Sequence, residues 1–364
     1  MTISSAENDY IYAMKTKLLG KTPEELREIA VSAGLPAYAG GQIAKWLYRR
    51  RVRTIEEMTD LSKAGREKLS ESCEVGIVSP CDCVQSSDGT KKYLFPVVCS
   101  LRRGIDAGGP FEESAVEAVM IPDGERRTLC VSSQAGCRMN CRFCMTGHQG
   151  FHGHLSVADI LSQFMAVDEA GELTNAVFMG MGEPLDNWEN VSRAIEVLTA
   201  EWGFAWSPKR ITLSTIGVIP GLRKYLDGCR CHLAVSLHNP FPGEREELMP
   251  AENAFPVAEV LNLIRQYDFT GQRRVSFEYT MFAGLNDDKR HADALVRMLR
   301  GLECRVNLIR FHKIPDFPYD SSPEPVMEAF RDRLNRSGIT ATIRASRGED
   351  ILAACGMLAG KHNG

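Results

Sequence analysis

Three cysteines lie close enough together in the sequence to bind one metal centre. Cys137, Cys141 and Cys144 have the spacing C-x3-C-x2-C inside the run TLCVSSQAGCRMNCRFCMTGHQGF. Short spacers let a loop turn several sulfurs toward one centre. A [4Fe-4S] cluster with three cysteine ligands keeps one iron open, whereas structural zinc needs a closed fourth position. His148 is the local candidate to complete a Cys3His zinc site. A third interpretation is that the three cysteines are buried residues that bind no metal.

A glycine-rich run followed by a carboxylate forms a second candidate site. The run GMGEP contains Gly180, Gly182 and Glu183. Glycine lets a backbone approach a ligand closely, and glutamate can accept hydrogen bonds from an ammonium group. Taken alone, the run is explained better by an ordinary glycine turn, so its chemistry depends on what lies beside it.

The elements that must position these residues alternate between strand and helix patterns beyond residue 125. Strand patterns fall at residues 128–132, 175–179, 211–214, 232–237, 275–281 and 305–311. Helix patterns fall between them, for example at 157–169, 191–198, 257–267 and 292–300. Such alternation predicts an α/β fold with a parallel sheet, whose loops gather at the carboxyl ends of the strands. A last strand at 339–344 and a helix after Gly348 complete the chain.

This frame brings the candidate residues to one edge of the sheet. The three-cysteine loop follows the first strand, and GMGEP follows the second. Further polar residues end the third and fourth strands or follow the sixth: Ser214, Ser236, His238 and His312. We therefore expect a single mouth lined by all of them. Taken alone, His238 is better interpreted as a structural histidine whose ring nitrogens have hydrogen-bond partners within the protein.

The first part of the chain has a different character. The TPEE run at residues 22–25 starts a helix, and Gly34 helps to end it. Residues 41–69 contain eight Lys or Arg against four Asp or Glu, which favours a phosphate-binding face. A solvated helix surface around a core of Trp46 and Leu47 explains the same pattern about as well.

Residues 74–122 have the pattern of β-structure. They contain a predicted hairpin with Asp88-Gly89 at its turn, followed by the strand AVEAVMIP. Cys81 and Cys83 alternate with polar neighbours in this hairpin. We interpret them as ordinary strand residues rather than metal ligands.

The composition is that of a globular protein with one large and one small domain. The 364 residues exceed the size at which single cores stop growing, and 44% of them are hydrophobic and 25% charged. No run reaches the roughly 18 apolar residues of a membrane span, and the first residues lack the apolar core of a signal peptide. Twelve cysteines then indicate reduced thiols and a cytoplasmic location. The net charge of −4 gives no global sign of nucleic-acid binding.

Seven ordered runs resemble one known family. C-x3-C-x2-C is the loop of the radical S-adenosylmethionine (SAM) enzymes, and its neighbours resemble the RlmN/Cfr adenosine methyltransferases among them. The matching runs lie between residues 130 and 356: CVSSQAGC, MGMGEPLDN, STIGVIPG, LAVSLH, EYTM with GLND, VNLI and RGEDILAACG. The N-terminal segment also resembles that of the family, so the likeness covers most of the chain.

The resemblance implies a fold and two cofactors. The fold is a partial (β/α)6 radical SAM barrel at 123–364, preceded by a small helical RNA-engaging accessory domain at 1–73 and a short β-rich connector at 74–122. Cys137, Cys141 and Cys144 would bind a [4Fe-4S] cluster. SAM, used twice per turnover, would contact Gly182, Glu183, Ser214, Ser236, Leu237, His238 and His312. Relatives have Asn at the last position, and Asn and His both offer a donor and an acceptor.

The resemblance also assigns roles to two further cysteines and a glutamate. Cys355 would receive a methyl group from one SAM, and a 5′-deoxyadenosyl radical from a second SAM would activate that group for addition to an adenine carbon. Glu117 would accept the ring proton. Cys130 would attack the Cys355 sulfur, release the base and leave a transient disulfide. Without the resemblance, each cysteine is interpreted as a small buried residue and Glu117 as an exposed strand residue.

The implied product is 2-methyladenosine, at adenosine 2503 of 23S rRNA and adenosine 37 of some tRNAs. The implied partners are these RNAs and an electron donor such as flavodoxin or ferredoxin, with the enzyme a monomer and no membrane involved. One alternative is a Cfr-type enzyme, which methylates C8 of the same rRNA base and confers antibiotic resistance. Another is a metal-stabilised RNA-binding protein without catalysis.

Metal analysis separates the enzyme from the non-catalytic alternative. We expect anaerobically purified protein to contain iron and acid-labile sulfide. Replacing Cys137, Cys141 or Cys144 by Ala should remove the cluster and all activity, because each thiolate binds the cluster. About one zinc per chain with no sulfide would contradict the enzyme interpretation.

Overall fold

The computed structural model describes residues 15–101, 111–269, 271 and 273–360. The chain divides into two compact units, a small unit of residues 1–77 and 194–205 and a large unit of residues 78–193 and 206–364. Parts of the three domains predicted from the sequence lie outside the described residues. These parts are residues 1–14 of the accessory domain, 102–110 of the connector and 361–364 of the barrel segment.

The small unit is mainly helical. Its elements are β1 (Thr16–Lys17), α1 (Pro23–Ser32), α2 (Ala39–Ala44), a π-helical turn (Lys45–Arg50), α3 (Lys63–Ser72) and β2 (Cys73–Glu74), and β1 pairs with β2 in parallel. Helix α1 begins as predicted, because Thr22 Oγ1 accepts the Glu25 N–H and the Glu25 carboxylate accepts the Thr22 N–H.

The basic segment of the small unit has a buried face and a charged face. Trp46, Leu47 and Tyr48 are buried, whereas Arg49 and Arg50 are exposed. The exposed arginines are available to phosphates, and the buried side chains form a core. The arrangement therefore suits both interpretations of this segment.

The large unit is built around one sheet of twelve strands among its described residues. The strands are β3 (Asp82–Gln85), β4 (Lys91–Ser100), β5 (Phe111–Asp123), β6 (Arg126–Cys130), β7 (Gln134–Gly136), β8 (Phe151–His154), β9 (Asn175–Phe178), β10 (Ile211–Thr215), β11 (His232–Ser236), β12 (Val275–Met281), β13 (Cys304–Arg310) and β14 (Thr340–Ile343). Their order is β14-β13-β12-β11-β10-β9-β6-β5-β4-β8-β7, with β3 beside β4.

Helices connect most of the strands. They are α4 (Met145–His148), α5 (Val157–Met165), α6 (Trp188–Thr199), α7 (Ile219–Gly228), α8 (Pro242–Leu248), α9 (Val257–Ile264), α10 (Lys289–Leu299) and α11 (Glu324–Arg336), with 3-10 turns at Pro208–Arg210, Pro250–Asn253 and Glu349–Ile351. Among the described residues, no helix has both the length and the apolar character needed to cross a membrane.

The predicted parallel sheet is confirmed. Strands β6 and β9 to β13 are the six alternating strands, each parallel to its neighbour, and β14 is the predicted last strand. Parallel strands need crossover connections, and between β10 and β14 these connections contain the helices α7 to α11. The carboxyl ends of the six strands consequently share one edge of the sheet.

The predicted hairpin is also confirmed, and its strands extend the same sheet. β3 pairs antiparallel with β4, β4 with β5 and β5 with β6. At the Asp88-Gly89 turn, the Gly89 N–H donates to the Ser86 carbonyl at 3.0 Å. The β-structure of residues 82–123 is therefore continuous with the barrel strands.

The prediction of a helix after Gly348 is wrong. Only the 3-10 turn Glu349–Ile351 forms there. Gly348 has φ +62° and Leu352 has φ +53°, and these left-handed conformations stop a right-handed helix on both sides. The short hairpin of β7 and β8 was not predicted from the sequence.

A buried ion pair supports the loop after β11. The Arg245 side chain is fully buried, and it donates to the carbonyls of Ser236 at 2.9 Å and Leu237 at 3.0 Å. It also pairs with Glu252, which accepts the Val257 N–H at the start of α9. Arg245 therefore joins the end of a barrel strand to the helices that follow it.

We expect Arg245→Met to lower the free energy of unfolding by about 3–5 kcal/mol, because it leaves the Glu252 carboxylate buried without its partner. Chemical denaturation followed by circular dichroism measures the loss. Lys313→Met is the matched control, since the pair of Lys313 with Asp320 is exposed and should contribute less than about 1 kcal/mol. Equal stability of the two variants would show that the buried pair has no special role.

Candidate active site

A cavity of about 930 Å³, including its mouth, opens at the carboxyl edge of the parallel strands. We call it the first cavity. It brings together most of the residues that the sequence singled out: Cys137, Cys141, Cys144, Gly182, Glu183, Ser214, Ser236, His238 and Cys355.

The three-cysteine loop lies between β7 and α4 and is closed by a tight hairpin. The Cys137 N–H donates to the Gly150 carbonyl at 2.7 Å. A Cβ at Gly136 would lie 1.9 Å from that same carbonyl oxygen, so this position requires glycine. Burial and the neighbouring thiols raise the pKa of Cys137, and they raise the pKa of Cys141 to about 12. Because adjacent buried thiolates repel each other, the loop suits a positively charged metal group that stabilises them.

The contacts of His148 do not support a Cys3His zinc site. No group of three or more His, Cys, Asp or Glu among the described residues is arranged to hold one metal ion. His148 Nε2 donates to the Arg142 carbonyl at 2.8 Å and so does not complete a zinc site with the cysteines. Each cysteine of an iron-sulfur cluster binds a different iron, which requires wider spacing than the ligands of one zinc.

Glu183 is the glutamate of the GMGEP loop, and it lines the first cavity. Its carboxylate accepts hydrogen bonds from Thr215 Oγ1 at 2.7 Å, the Ile216 N–H at 2.9 Å and the Leu185 N–H at 3.0 Å. Burial nevertheless raises the pKa of Glu183 to about 7. A cationic group in the cavity would favour the ionised carboxylate.

The glycines of this loop allow it to approach another part of the chain. Gly182 has φ +94°, and a Cβ there would lie 2.4 Å from the Gln134 Cβ. A Cβ at Gly180 would lie 2.7 Å from the Val131 backbone. The contact also aligns the Glu183 N–H with Gln134 Oε1 at 2.8 Å. Both glycines are therefore required by packing within the protein.

Residues at the ends of β10 and β11 contribute unequally to the first cavity. Ser214 and Ser236 line it, whereas Leu237, which was expected to contact SAM, is fully buried and is not part of the lining. His238 Nδ1 accepts the Thr280 N–H at 3.0 Å, so the neutral ring carries its proton on Nε2. Burial lowers the pKa of His238 to about 3 and keeps the ring neutral.

A second cavity, of about 1,700 Å³ including its mouth, shares part of its lining with the first. Cys130 and Cys355 both line it, and Cys355 lines the two cavities. His312 also lines the second cavity rather than the first, with Nε2 at 3.0 Å from Ser346 Oγ and Nδ1 at 3.3 Å from Glu349. The structure thus separates His312 from the other residues expected to contact SAM.

The two cysteines outside the loop are free thiols with different surroundings. Cys130 is buried at the end of β6, and burial together with the nearby Cys355 raises the pKa of Cys130 to about 12. Cys355 is accessible to solvent through the cavities, although it lies deep in the protein and its pKa is also raised by burial. Cys130 is therefore a protonated and weakly nucleophilic thiol at neutral pH.

The segment that carries Cys355 is attached to distant parts of the chain on both sides. Before it, the Gly348 N–H donates to Asp88 at 3.0 Å and Asp350 accepts from Ser86 Oγ at 2.5 Å. After it, Thr146 Oγ1 donates to the Leu358 carbonyl at 2.8 Å. These bonds hold Cys355 between the β3–β4 turn and α4, the helix that follows the three-cysteine loop.

Glu117 lies on β5, and both of its carboxylate oxygens are occupied. Lys92 Nζ is 3.0 Å from Oε1, and the N–H groups of Ala359 and Gly360 donate to Oε2 at 2.7 and 3.1 Å. The side chain is 2% exposed, so the interpretation as an exposed strand residue is wrong. Neither cavity lining includes Glu117.

Comparison with known proteins places this arrangement in a family. The radical SAM superfamily pattern matches residues 131–295, and that of the ribosomal RNA large subunit methyltransferase N-terminal domain matches residues 16–75. A protein of Porphyromonas gingivalis named a probable dual-specificity RNA methyltransferase RlmN is 58% identical, over 94% of each chain. The dual-specificity RNA methyltransferase RlmN of Syntrophus aciditrophicus is 40% identical over 93% of this chain and 94% of its own. The chain belongs to the RlmN family.

A solved structure supports the same placement. A radical SAM methyltransferase from Sphaerobacter thermophilus is 36% identical and superimposes with a TM-score of 0.85, covering 95% of this chain and all of its own. Membership of this branch of the radical SAM enzymes implies a [4Fe-4S] cluster and SAM. The three cavity-facing cysteines and the acidic and polar residues beside them have the donor chemistry that such a pair requires.

The motifs of the RlmN family also contain polar residues to which the sequence assigned no role. Glu278 in EYTM and Asn307 in VNLI lie on neighbouring strands, and Asn307 Nδ2 donates to Glu278 Oε1 at 2.7 Å. Burial raises the pKa of Glu278. A charged residue within an otherwise apolar predicted strand was the available signal, because such residues are rarely buried without a partner.

Cys130 should react slowly with iodoacetamide at about pH 8, and its rate should rise about tenfold per pH unit up to about pH 12, since only the thiolate reacts. Cys81, which is exposed, is the internal control. Peptide mass spectrometry of the same sample compares the two rates. Labelling of Cys130 as fast as that of Cys81 at about pH 8 would contradict the raised pKa of Cys130.

Proposed function

We propose that this member of the RlmN family is a SAM-dependent radical methyltransferase that makes 2-methyladenosine at adenosine 2503 of 23S rRNA and adenosine 37 of tRNAs. One observation carries the proposal. Cys355 lines a cavity that contains the three loop cysteines and a second cavity that contains Cys130. A thiol with access to both can receive a group on one side and deliver it on the other.

The target carbon explains why two thiols are needed. C2 of adenine has no nucleophilic lone pair, so ordinary methyl transfer from SAM does not reach it. When bound, the cluster supplies the electron that cleaves SAM and begins radical chemistry. Cys355 carries the methyl group, and two SAM molecules are used per turnover, one as methyl source and one as radical source.

Cys130 then releases the product. Its thiolate attacks the Cys355 sulfur, the bond from that sulfur to the new methyl carbon breaks, and a disulfide forms. The carbon takes a proton and becomes the methyl group of the base. The raised pKa of Cys130 keeps this thiol protonated at rest, so it loses its proton in the attack, and this proton balances the one that the released carbon takes.

Glu117 is the proposed acceptor of the C2 proton. Two of its hydrogen bonds come from Ala359 and Gly360, which follow Cys355 closely in the chain. These bonds occupy Oε2. Movement of the segment after Cys355 would free Oε2 to accept a proton, so the position of the methyl carrier and the availability of Glu117 are coupled.

The walls of the second cavity suit an RNA substrate. They include four arginines against two acidic residues: Arg126, Arg310, Arg344 and Arg347 against Asp123 and Glu278. Local positive charge of this kind attracts phosphates even in a chain of net charge −4. The match of residues 16–75 to the N-terminal domain of a ribosomal RNA methyltransferase supports an RNA-engaging accessory domain at 1–73, with the connector at 74–122 and the catalytic segment at 123–364.

Cofactor contacts complete the proposal. Gly182, Glu183, Ser214, Ser236, Leu237 and His238 contact SAM in the first cavity, and His312 does so only if SAM reaches the second. The enzyme is a cytoplasmic monomer that takes electrons from a donor such as flavodoxin or ferredoxin.

Nucleoside mass spectrometry tests the product. The reconstituted protein would be incubated anaerobically with SAM, a reductant and unmodified 23S rRNA or tRNA. We expect 2-methyladenosine from both RNAs. 8-Methyladenosine would assign the chain to the Cfr branch, and no methylation despite an intact cluster and SAM cleavage would show that the substrate is wrong.

Two variants serve as matched controls in this assay. Cys130→Ala should stop the reaction after addition and accumulate a covalent protein–RNA adduct, because no thiol remains to resolve it. Cys355→Ala should form no adduct, since the methyl carrier is missing. Normal turnover by Cys130→Ala would show that Cys130 does not release the base from Cys355.

A further inference from the structure

A row of polar side chains crosses the sheet beside the two cavities. Ser236, Glu278, Asn307 and Thr342 occupy matching positions on β11, β12, β13 and β14. Asn307 Nδ2 donates to Glu278 Oε1, and Thr342 Oγ1 donates to Asn307 Oδ1 at 3.1 Å. These bonds hold the Glu278 carboxylate in one orientation.

The two oxygens of Glu278 differ in their partners. Oε1 accepts hydrogen bonds from Asn307 Nδ2 at 2.7 Å and Ser276 Oγ at 3.0 Å. Within the described part of the chain, no donor reaches Oε2. Oε2 is not one of the buried atoms that lack a partner in this part of the chain, so it is open to the cavities that Glu278 lines. A ligand in either cavity can therefore donate a hydrogen bond to it.

The position of Glu278 points to a ligand near the reactive thiols. Its side chain is 5% exposed and lines both cavities, together with Cys355. On the second cavity it also shares the lining with Cys130 and Arg344. The chemistry proposed above uses both thiols and Glu117, but it leaves Glu278 without a role.

We propose that Glu278 is a specificity-determining residue, which recognises the target adenine by accepting a hydrogen bond from its N6 amino group at Oε2. The inference rests on the proposed function. Adenine has a donor at position 6, whereas hypoxanthine and guanine have a carbonyl oxygen there. A carboxylate oxygen would bind the first group and repel the second, so the residue selects adenine against 6-oxopurines.

Glu278→Gln should weaken the selection of adenine against 6-oxopurines. The amide oxygen would stay with the donors of Ser276 and Asn307, which places the amide NH2 group at the position of Oε2. That group suits a carbonyl at position 6 and leaves an amino group without an acceptor. The variant keeps the size and the internal hydrogen bonds of the native side chain.

The test is a competition between two RNAs. Full-length reconstituted protein would receive synthetic tRNA anticodon stem-loops with adenosine or inosine at the target position, and methylated nucleosides would be quantified by mass spectrometry. We expect Glu278→Gln to lower the preference for adenosine by about tenfold to a hundredfold, as for a hydrogen bond to a charged group. Comparing the two proteins on the same RNA pair cancels the intrinsic reactivity of the bases. An unchanged preference overturns the proposal.

SAM binding distinguishes recognition of the base from recognition of the cofactor. Glu278→Gln should retain the SAM affinity of the wild type in equilibrium dialysis and the S-methylation of Cys355 in peptide mass spectrometry. Loss of either would assign Glu278 to SAM and overturn its assignment to the base.

Recognition of the amino group at position 6 can also be tested with the wild-type protein and a modified RNA. A stem-loop with purine riboside, which lacks any group at position 6, should be methylated at least about tenfold less efficiently than the adenosine stem-loop. Equal methylation of the two overturns the inference and leaves the proposed function intact. If the adenosine stem-loop and 23S rRNA both remain unmethylated, the proposed function fails and the inference fails with it.

Discussion

The site depends on the close packing of two loops at the carboxyl edge of the sheet. A Cβ at Gly180 would overlap the Val131 backbone, and a Cβ at Gly182 would overlap Gln134. Only because both side chains are absent can the GMGEP loop place Glu183 against its donors on and after β10. Residues 131–134 also lead into the three-cysteine loop, so the same contact fixes the cysteines relative to that carboxylate.

The two cavities divide the chemistry between them. Cys137, Cys141, Glu183 and His238 line only the first cavity, and Cys144 lines both. Cys130 and the four arginines line only the second. Cys355 and Glu278 belong to both. In the proposed reaction, the sulfur that carries the methyl group therefore lies at the boundary between cofactor and RNA, and a long transfer across the protein is unnecessary.

Local patterns in the sequence were enough to predict the sheet and the cysteine loop. Residues 275–281 coincide with β12, because a short apolar run between helical patterns has few other places in an α/β fold. The burial of Glu117 was not predictable, since it depends on Lys92 and on residues more than two hundred positions later. The location of His312 likewise depends on Ser346 and Glu349, and the failed prediction of a helix after Gly348 misplaced Glu349.

The attachment of the Cys355 segment has a consequence for the synthesis of the protein. Its bonds to Asp88 and Ser86 join residues about 260 positions apart, and its bond to Thr146 joins residues 212 apart. Contacts of such long sequence separation form late in folding. On the ribosome, the three-cysteine loop and Cys130 are thus synthesised well before Cys355. The segment that carries Cys355 is therefore made after the other parts of the candidate site that it contacts.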